Sequence, residues 1–194
     1  MTPTTTGAYR VRSVRPDGTL RCVRLDDGET VDVAADERLR PGYRFEGELA
    51  WADGDATVGD CAVADRTLVS YADGVSNLFE AALDTWEAAR REGVGMLARP
   101  TRDAGGDPNG AVYAIAEQEG ERDVYREFRD GDAPLEPLVE RFRDGEDGFD
   151  APNEVFVLRP ATHRFVCVYL VGEKGGVLAD TVRDTYDCPR PEEP

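Results

Sequence analysis

Two segments near the C-terminus, EVFVLR (154–159) and RFVCVYLV (164–171), are apolar at odd and even positions alike. Successive side chains of a strand point to opposite faces, so a strand apolar at every position has two faces to bury. Each segment is therefore expected at the centre of a sheet covered on both sides. That cover must come from helices, from the rest of the chain, or from a second subunit.

Helices are available to supply it. In SNLFEAALDTWEAARRE (76–92), Leu78, Phe79, Ala82, Leu83, Trp86 and Ala89 form a stripe at three-to-four spacing. Ser76 or Asn77 can cap its start, Gly93 can end it, and Arg90 and Arg91 suit its last turn. ERDVYREFRD (121–130) and PLEPLVERFRDG (134–145) also read as helices, the latter through Leu135, Leu138, Val139 and Phe142. AVYAIAEQ (111–118) reads as extended. GVLADTVRDTY (176–186), with charges interspersed among its apolar residues, reads as an edge strand, and RPEEP as a disordered tail. The Gly- and Asp-rich loop RDAGGDPNG (102–110) is the best candidate for a boundary.

The first third has a different texture, with short strand-like runs punctuated by turn residues. AYRVRSVR meets TLRCVRL through Pro16-Asp17-Gly18, and TLRCVRL meets ETVDVAA through Asp26-Asp27-Gly28. Three-residue hairpin loops ending in glycine would pair Val11 with Val23, Val23 with Val31 and Tyr9 with Leu25. Tyr9, Val11, Val23, Leu25, Val31 and Val33 would then share the core face. YRFEGELAW and ATVGDCAVA follow, joined at Asp53-Gly54-Asp55. Five short strands in about sixty residues fit a small barrel, closed to avoid free edges.

LRPGYRFEGEL (39–49) resembles the segment of TRAM and related OB-type barrels in which a Pro-Gly turn leads an alternating strand. The resemblance covers about a third of the chain and implies RNA as a ligand. The predicted fold is α+β: a five-stranded OB- or SH3-like barrel over residues 1–74, a connecting helix and loop over 75–110, and an α/β domain over 111–194 with a mainly antiparallel sheet.

Charge complicates the RNA reading. The formal net charge is -17, with 40 acidic residues against 23 basic ones, of which Lys174 is the only lysine. Such an excess is tolerable where concentrated salt screens repulsion. The composition resembles that of haloarchaeal cytoplasmic proteins, and the whole resembles an uncharacterised haloarchaeal family. An acidic protein of a high-GC bacterium and a nucleic-acid mimic are the alternatives. Residues 1–24, however, hold five arginines and one acid. The expected register places Arg10, Arg12 and Arg24 on one outer barrel face, where they could hold a phosphate backbone or stack bases. Equally, Arg12 could reach Asp32 and Arg24 could reach Glu29 in an ion-pair ladder of small energetic value.

Catalytic signals are sparse. His163 is the only histidine and lies in the expected turn between the two buried strands. Cys22, Cys61, Cys167 and Cys188 form no CxxC pair, so no transition-metal set is expected. From Asp144, positions six and twelve of a calcium loop would be Phe149 and Val155, which fails the pattern. Ser13, Ser70 and Ser76 lie outside any GxSxG, GVGMLA lacks a dinucleotide setting, and GEKGGV has Lys174 in the wrong order for a phosphate loop. No apolar run approaches a membrane span and the N-terminus has no signal-like segment, so a cytoplasmic location is expected. The expectation is a binding module without cofactor, with single-stranded RNA as its ligand or, as the alternative, a homodimer or protein partner.

Overall fold

The structure is a computed structural model and describes residues 2–118, 120 and 122–194. The first five strands are β1 (Thr4–Val14), β2 (Leu20–Arg24), β3 (Thr30–Val33), β4 (Arg44–Ala52) and β5 (Asp55–Asp65). They form a closed barrel in the order β1-β2-β3-β5-β4, with β3 and β5 parallel at their contact. Tyr9, Val11, Leu20, Cys22, Val31, Val33, Tyr43, Phe45 and Leu49 fill it.

The expected register is corrected by one residue. The first hairpin does have a three-residue loop, since the Arg15 amide bonds to Thr19 O. A bulge in β1 between Val11 and Ser13 then takes up one residue, so Val11 faces Cys22 instead of Val23. The second hairpin has a four-residue loop, closed by Arg24 N to Glu29 O, and Cys22 instead of Val23 faces Val31. Leu20 and Cys22 therefore take the inward places expected for Val23 and Leu25, and Leu25 is exposed. The bulge is not visible in residue types, because Arg12 suits an outward position in either register.

The second sheet has the order β6-β9-β10-β8-β7 and consists of β6 (Leu68–Val75), β7 (Met96–Arg102), β8 (Pro108–Ala116), β9 (Glu154–Pro160) and β10 (Phe165–Val171). It is antiparallel except for the parallel pair β6 and β9. All of β6 but Val75 falls in the 1–74 segment, yet it belongs to this sheet, and the Gly- and Asp-rich loop is the hairpin between β7 and β8. No helix among the described residues is long and apolar enough to cross a membrane.

The two strands of unbroken apolar character are central and doubly covered. Helix α1 (Glu80–Glu92) packs on one face over Phe156, Leu158, Phe165, Cys167 and Tyr169, and Trp86 stacks on Phe165 at 4.9 Å. Helices α2 (Val124–Asp130) and α3 (Glu136–Asp144) bring Tyr125, Phe128, Val139 and Phe142 to the other, over Val155, Val157, Val166 and Val168. Glu121, the first residue of the expected second helix, lies outside the described residues. Since intramolecular helices cover both faces, these strands require no second subunit.

The segment expected as a last edge strand is instead helix α4 (Val177–Thr185), on the same face as α1. Its buried positions, Ala179, Val182 and Arg183, follow helical spacing, with Tyr186 just beyond. Asp180 and Asp184 fall on the exposed side of that helix, whereas Arg183 is buried against Glu154. The tail is also held: Glu193 meets Tyr43 and Lys174, and Arg40 Nε donates to Glu192 O at 2.8 Å.

Candidate functional site

Barrel and sheet meet along the outer side of β1, and two of the three predicted binding arginines lie in that seam. Arg10 donates to Gly42 O at 2.8 Å and approaches Asp65 at 3.6 Å. Arg143 of α3 reaches the same Asp65 carboxylate at 2.9 Å. Arg12 pairs with Glu136 of α3 at 3.2 Å, and its carbonyl accepts a bond from Tyr71 Oη at 3.3 Å. Arg21 bonds Asp32 and also Asp132, in the loop between α2 and α3. The space enclosed beside Arg10 and Arg12 is about 20 Å³, room for a single water.

Arg24 is elsewhere. It sits opposite Tyr9, hence on the core side of the barrel wall, and is held by Asp27 and Glu29. The structure thus brings Arg10 and Arg12 together and separates Arg24 from them, because the one-residue shift moves Arg24 through the pleat. The expected single row of three arginines is not formed.

Around the seam most buried polar groups are paired, although Arg10 Nε and Ser13 Oγ have no hydrogen-bond partner. The Thr67 amide donates to Asp65 Oδ1 at 2.8 Å, and Arg143 donates to Thr67 Oγ1 and to Asn153 Oδ1, both at 2.7 Å. Burial pushes the Asp65 carboxyl up, but the Thr67 bonds and the charges of Arg143 and Arg10 outweigh it and leave it below the ordinary aspartate range. A second buried set lies at the start of β9, next to Asn153. Glu154, fully buried, accepts from Arg183 and Arg190, each at 2.7 Å, and from the Gly175 amide at 3.0 Å. Removal of one member would leave a buried charge without its counterion.

His163 is exposed, with Nδ1 3.0 Å from Thr162 Oγ1, at a cavity lined otherwise by Val75, Asn77, Leu78, Leu83 and Pro160. The acidic neighbour that would make it a general base is not among the lining residues. Burial pushes the Cys22 and Cys167 thiols up to about 12, the reverse of what a nucleophile needs. Among the described residues no group of three His, Cys, Asp or Glu side chains is placed to hold a metal ion.

One surface escaped the sequence reading. On the α2/α3 side of the sheet, the helices stop short of β7 and leave a groove of about 160 Å³ lined by Ala98, Pro100, Ala111, Tyr113, Arg141 and Phe142, among others. Arg99 of β7 borders it through its backbone, but its pairing with Val112 turns its side chain to the α1 face of the sheet. Arg99, Arg141 and the distant Arg90 are the arginines whose side chains make no hydrogen bond or ion pair to any described residue. The nearby Asp147 is already paired with Arg102 at 3.2 Å. Burial raises the Tyr113 hydroxyl pKa, and the Arg141 charge holds it partly back, so that guanidinium is electrically close to the groove floor. No sequence pattern announces this site, since its lining residues lie in unrelated elements.

Comparison with curated proteins and with solved structures gives no match. Residues 1–191 match the model of DUF6663, a family of unknown function, and the chain belongs to that family.

Proposed function

We propose that the protein is a non-catalytic binding module adapted to concentrated salt, with its ligand surface on the sheet unit and the barrel as its scaffold. The observation that carries this reading is Arg141. On a chain with 40 acidic residues, its side chain makes no hydrogen bond or ion pair to any described residue and borders an open groove. Leaving guanidiniums unpaired where carboxylates are plentiful is what a surface reserved for an outside anionic group requires.

A second reading, RNA binding at the barrel, is favoured by the strand order β1-β2-β3-β5-β4 with β3 beside β5. OB-type barrels share that order and bind oligonucleotides on the β2–β3 face. Of the predicted residues, Arg10 and Arg12 are occupied in the seam, which leaves Arg24, and RNA would have to displace Asp27 and Glu29 from it. Self-association is the third, and it no longer follows from the apolar strands.

Fluorescence anisotropy with labelled oligouridylate, an alternating Asp-Leu peptide and an alternating Lys-Leu peptide, at ~0.2 M and ~2 M KCl, tests the reading. Saturable binding of any probe, without chemical change to it, is expected. Loss in an Arg141→Ala variant places the surface on the sheet, and loss in Arg24→Ala places it on the barrel. No saturable binding of any probe, or cleavage of one seen by mass spectrometry, overturns the reading.

A further inference from the structure

We infer that Arg40, Tyr43, Arg66 and Lys174 form a second docking site, for an acidic segment of a partner protein, which the chain's own residues 191–194 occupy as a placeholder. This site is separate from the groove beside Arg141 and does not depend on it.

The cluster is built where barrel and sheet meet. Arg40 and Tyr43 precede β4, Arg66 joins β5 to β6, and Lys174 lies between β10 and α4. Tyr43 is fully buried, with Arg66 Cζ 5.5 Å and Lys174 Nζ 5.4 Å from the centre of its ring. Lys174, the only lysine of the chain, has a side chain just 12% exposed and donates to Arg66 O at 2.5 Å. The Glu193 carboxylate accepts from both Lys174 and the Tyr43 hydroxyl. Burial pushes that carboxyl up, but those two bonds hold it below the ordinary glutamate value. Burial and the bond to Glu193 push the Tyr43 hydroxyl up to about 12, so it remains a donor.

The tail fills this site lightly. Glu192 and Pro194 are exposed, and none of residues 191–194 belongs to an apolar core cluster, so the segment can open locally at small cost. It also neutralises the cluster poorly. Arg40 bonds only to the carbonyls of Glu192, Glu37 and Leu39, and Arg66 only to Pro194 O and the Tyr43 hydroxyl. Three cations therefore share the single carboxylate of Glu193, on a chain with 40 acidic residues.

The mode of occupation identifies the ligand. The cations meet oxygens of three successive residues, 192, 193 and 194, which suits a chain better than one compact anion. A segment with carboxylates at successive positions gives Arg40 and Arg66 charge-assisted bonds where the tail offers carbonyls. Departure of Glu193 with nothing in its place would leave the mostly buried Lys174 ammonium without a counterion, so the open site calls for an anion. Tyr43, fully buried, has no free ring face on which a base could stack.

The test compares the full chain with a variant lacking residues 191–194, which keeps the bonds of Arg190 to Glu154 and Asp180. The probe is a labelled tetraglutamate peptide, followed by fluorescence anisotropy at ~0.2 M KCl. The shortened chain is expected to bind it saturably. The full chain should bind about tenfold more weakly, because its tail competes at high local concentration. Lys174→Ala in the shortened chain should cost about tenfold, and Arg141→Ala nothing, which tells this site from the groove. In the full chain, Glu193→Gln loosens the tail without shortening it and should tighten binding about threefold, which decides the matter if the shortened chain fails to fold. No binding by a folded shortened chain, equal binding by the shortened and full chains, or no gain in Glu193→Gln overturns the proposal. So does loss of binding in Arg141→Ala, or tighter binding of oligouridylate, which would give the cluster to a nucleic acid. A dimer of the full chain by light scattering that the shortened chain no longer forms would place the tail in a second copy and overturn its role as placeholder.

Discussion

Arg12 of the barrel and Glu136 of α3 face each other across the seam, with Nε and Oε1 3.2 Å apart and both side chains less than 15% exposed. The pair joins parts of the chain 124 positions apart. Truncation of either to alanine leaves a half-buried charge, so each single variant is expected to lose about 1–3 kcal/mol. In a double-mutant cycle read from denaturant midpoints, the coupling should be about 1 kcal/mol. Coupling near zero would mean that barrel and sheet dock through their apolar contacts alone.

The Asp65 carboxylate, shared by Arg10 and Arg143, makes the seam sensitive to acid. Its folded pKa lies below the ordinary value, because the Thr67 bonds and the two arginines outweigh the penalty of burial. A depressed pKa means that the unfolded chain takes up the proton first. The stabilisation is thus complete above the ordinary carboxylate range and is lost as pH falls below about 4 through the folded value. Asp65→Asn should melt lower than wild type at neutral pH, with the gap closing towards pH ~3. A gap that stays constant between these conditions would exclude the charge as its source.

Gly42 tests the seam by shape. It has φ +98°, and a Cβ there would lie 2.4 Å from Thr67 O. Its amide also donates to Val11 O at 2.8 Å, while its carbonyl accepts from Arg10. Gly54 has a similar φ of +93° in the β4–β5 turn but nothing within 4 Å of the would-be Cβ. Gly54→Ala should cost about 1 kcal/mol for conformation alone, and Gly42→Ala clearly more, about 3 kcal/mol. Equal losses in thermal unfolding would mean that the seam yields to the extra carbon.

The Pro41-Gly42 turn shows where the sequence was legible. It was readable as the entry to a strand, and β4 does follow it, but nothing in LRPGYRF says that the turn also carries the contact to Thr67 and Val69. Periodicity marked the barrel strands, the first three helices and the central position of β9 and β10, because those patterns answer to local burial. It failed for α4, although Asp180, Arg183 and Asp184 are spaced three and four apart as on a helix, and for the bulge at Arg12, which leaves no compositional trace. That single shift decided the fate of the predicted site. Arg99 and Arg141 were invisible for the opposite reason: a partnerless guanidinium is defined by what surrounds it in space.

The proposed salt adaptation makes a prediction of its own sign. With 40 acidic residues against 23 basic ones, folding gathers like charge, and added salt relieves that repulsion. Salt also weakens exposed pairs such as Arg24 with Asp27 and Arg44 with Glu46, but pairs of that kind contribute little at any ionic strength. Repulsion should therefore dominate, and the melting temperature should rise steeply between ~0.1 M and ~2 M KCl, where the screening length drops from about 10 Å to below about 3 Å. Sucrose at matched osmolality separates screening from preferential exclusion, since it stabilises folded states without touching charge. If KCl acts no better than sucrose, or lowers the melting temperature, then arginine–carboxylate pairing outweighs repulsion in this chain and its acidity needs another cause.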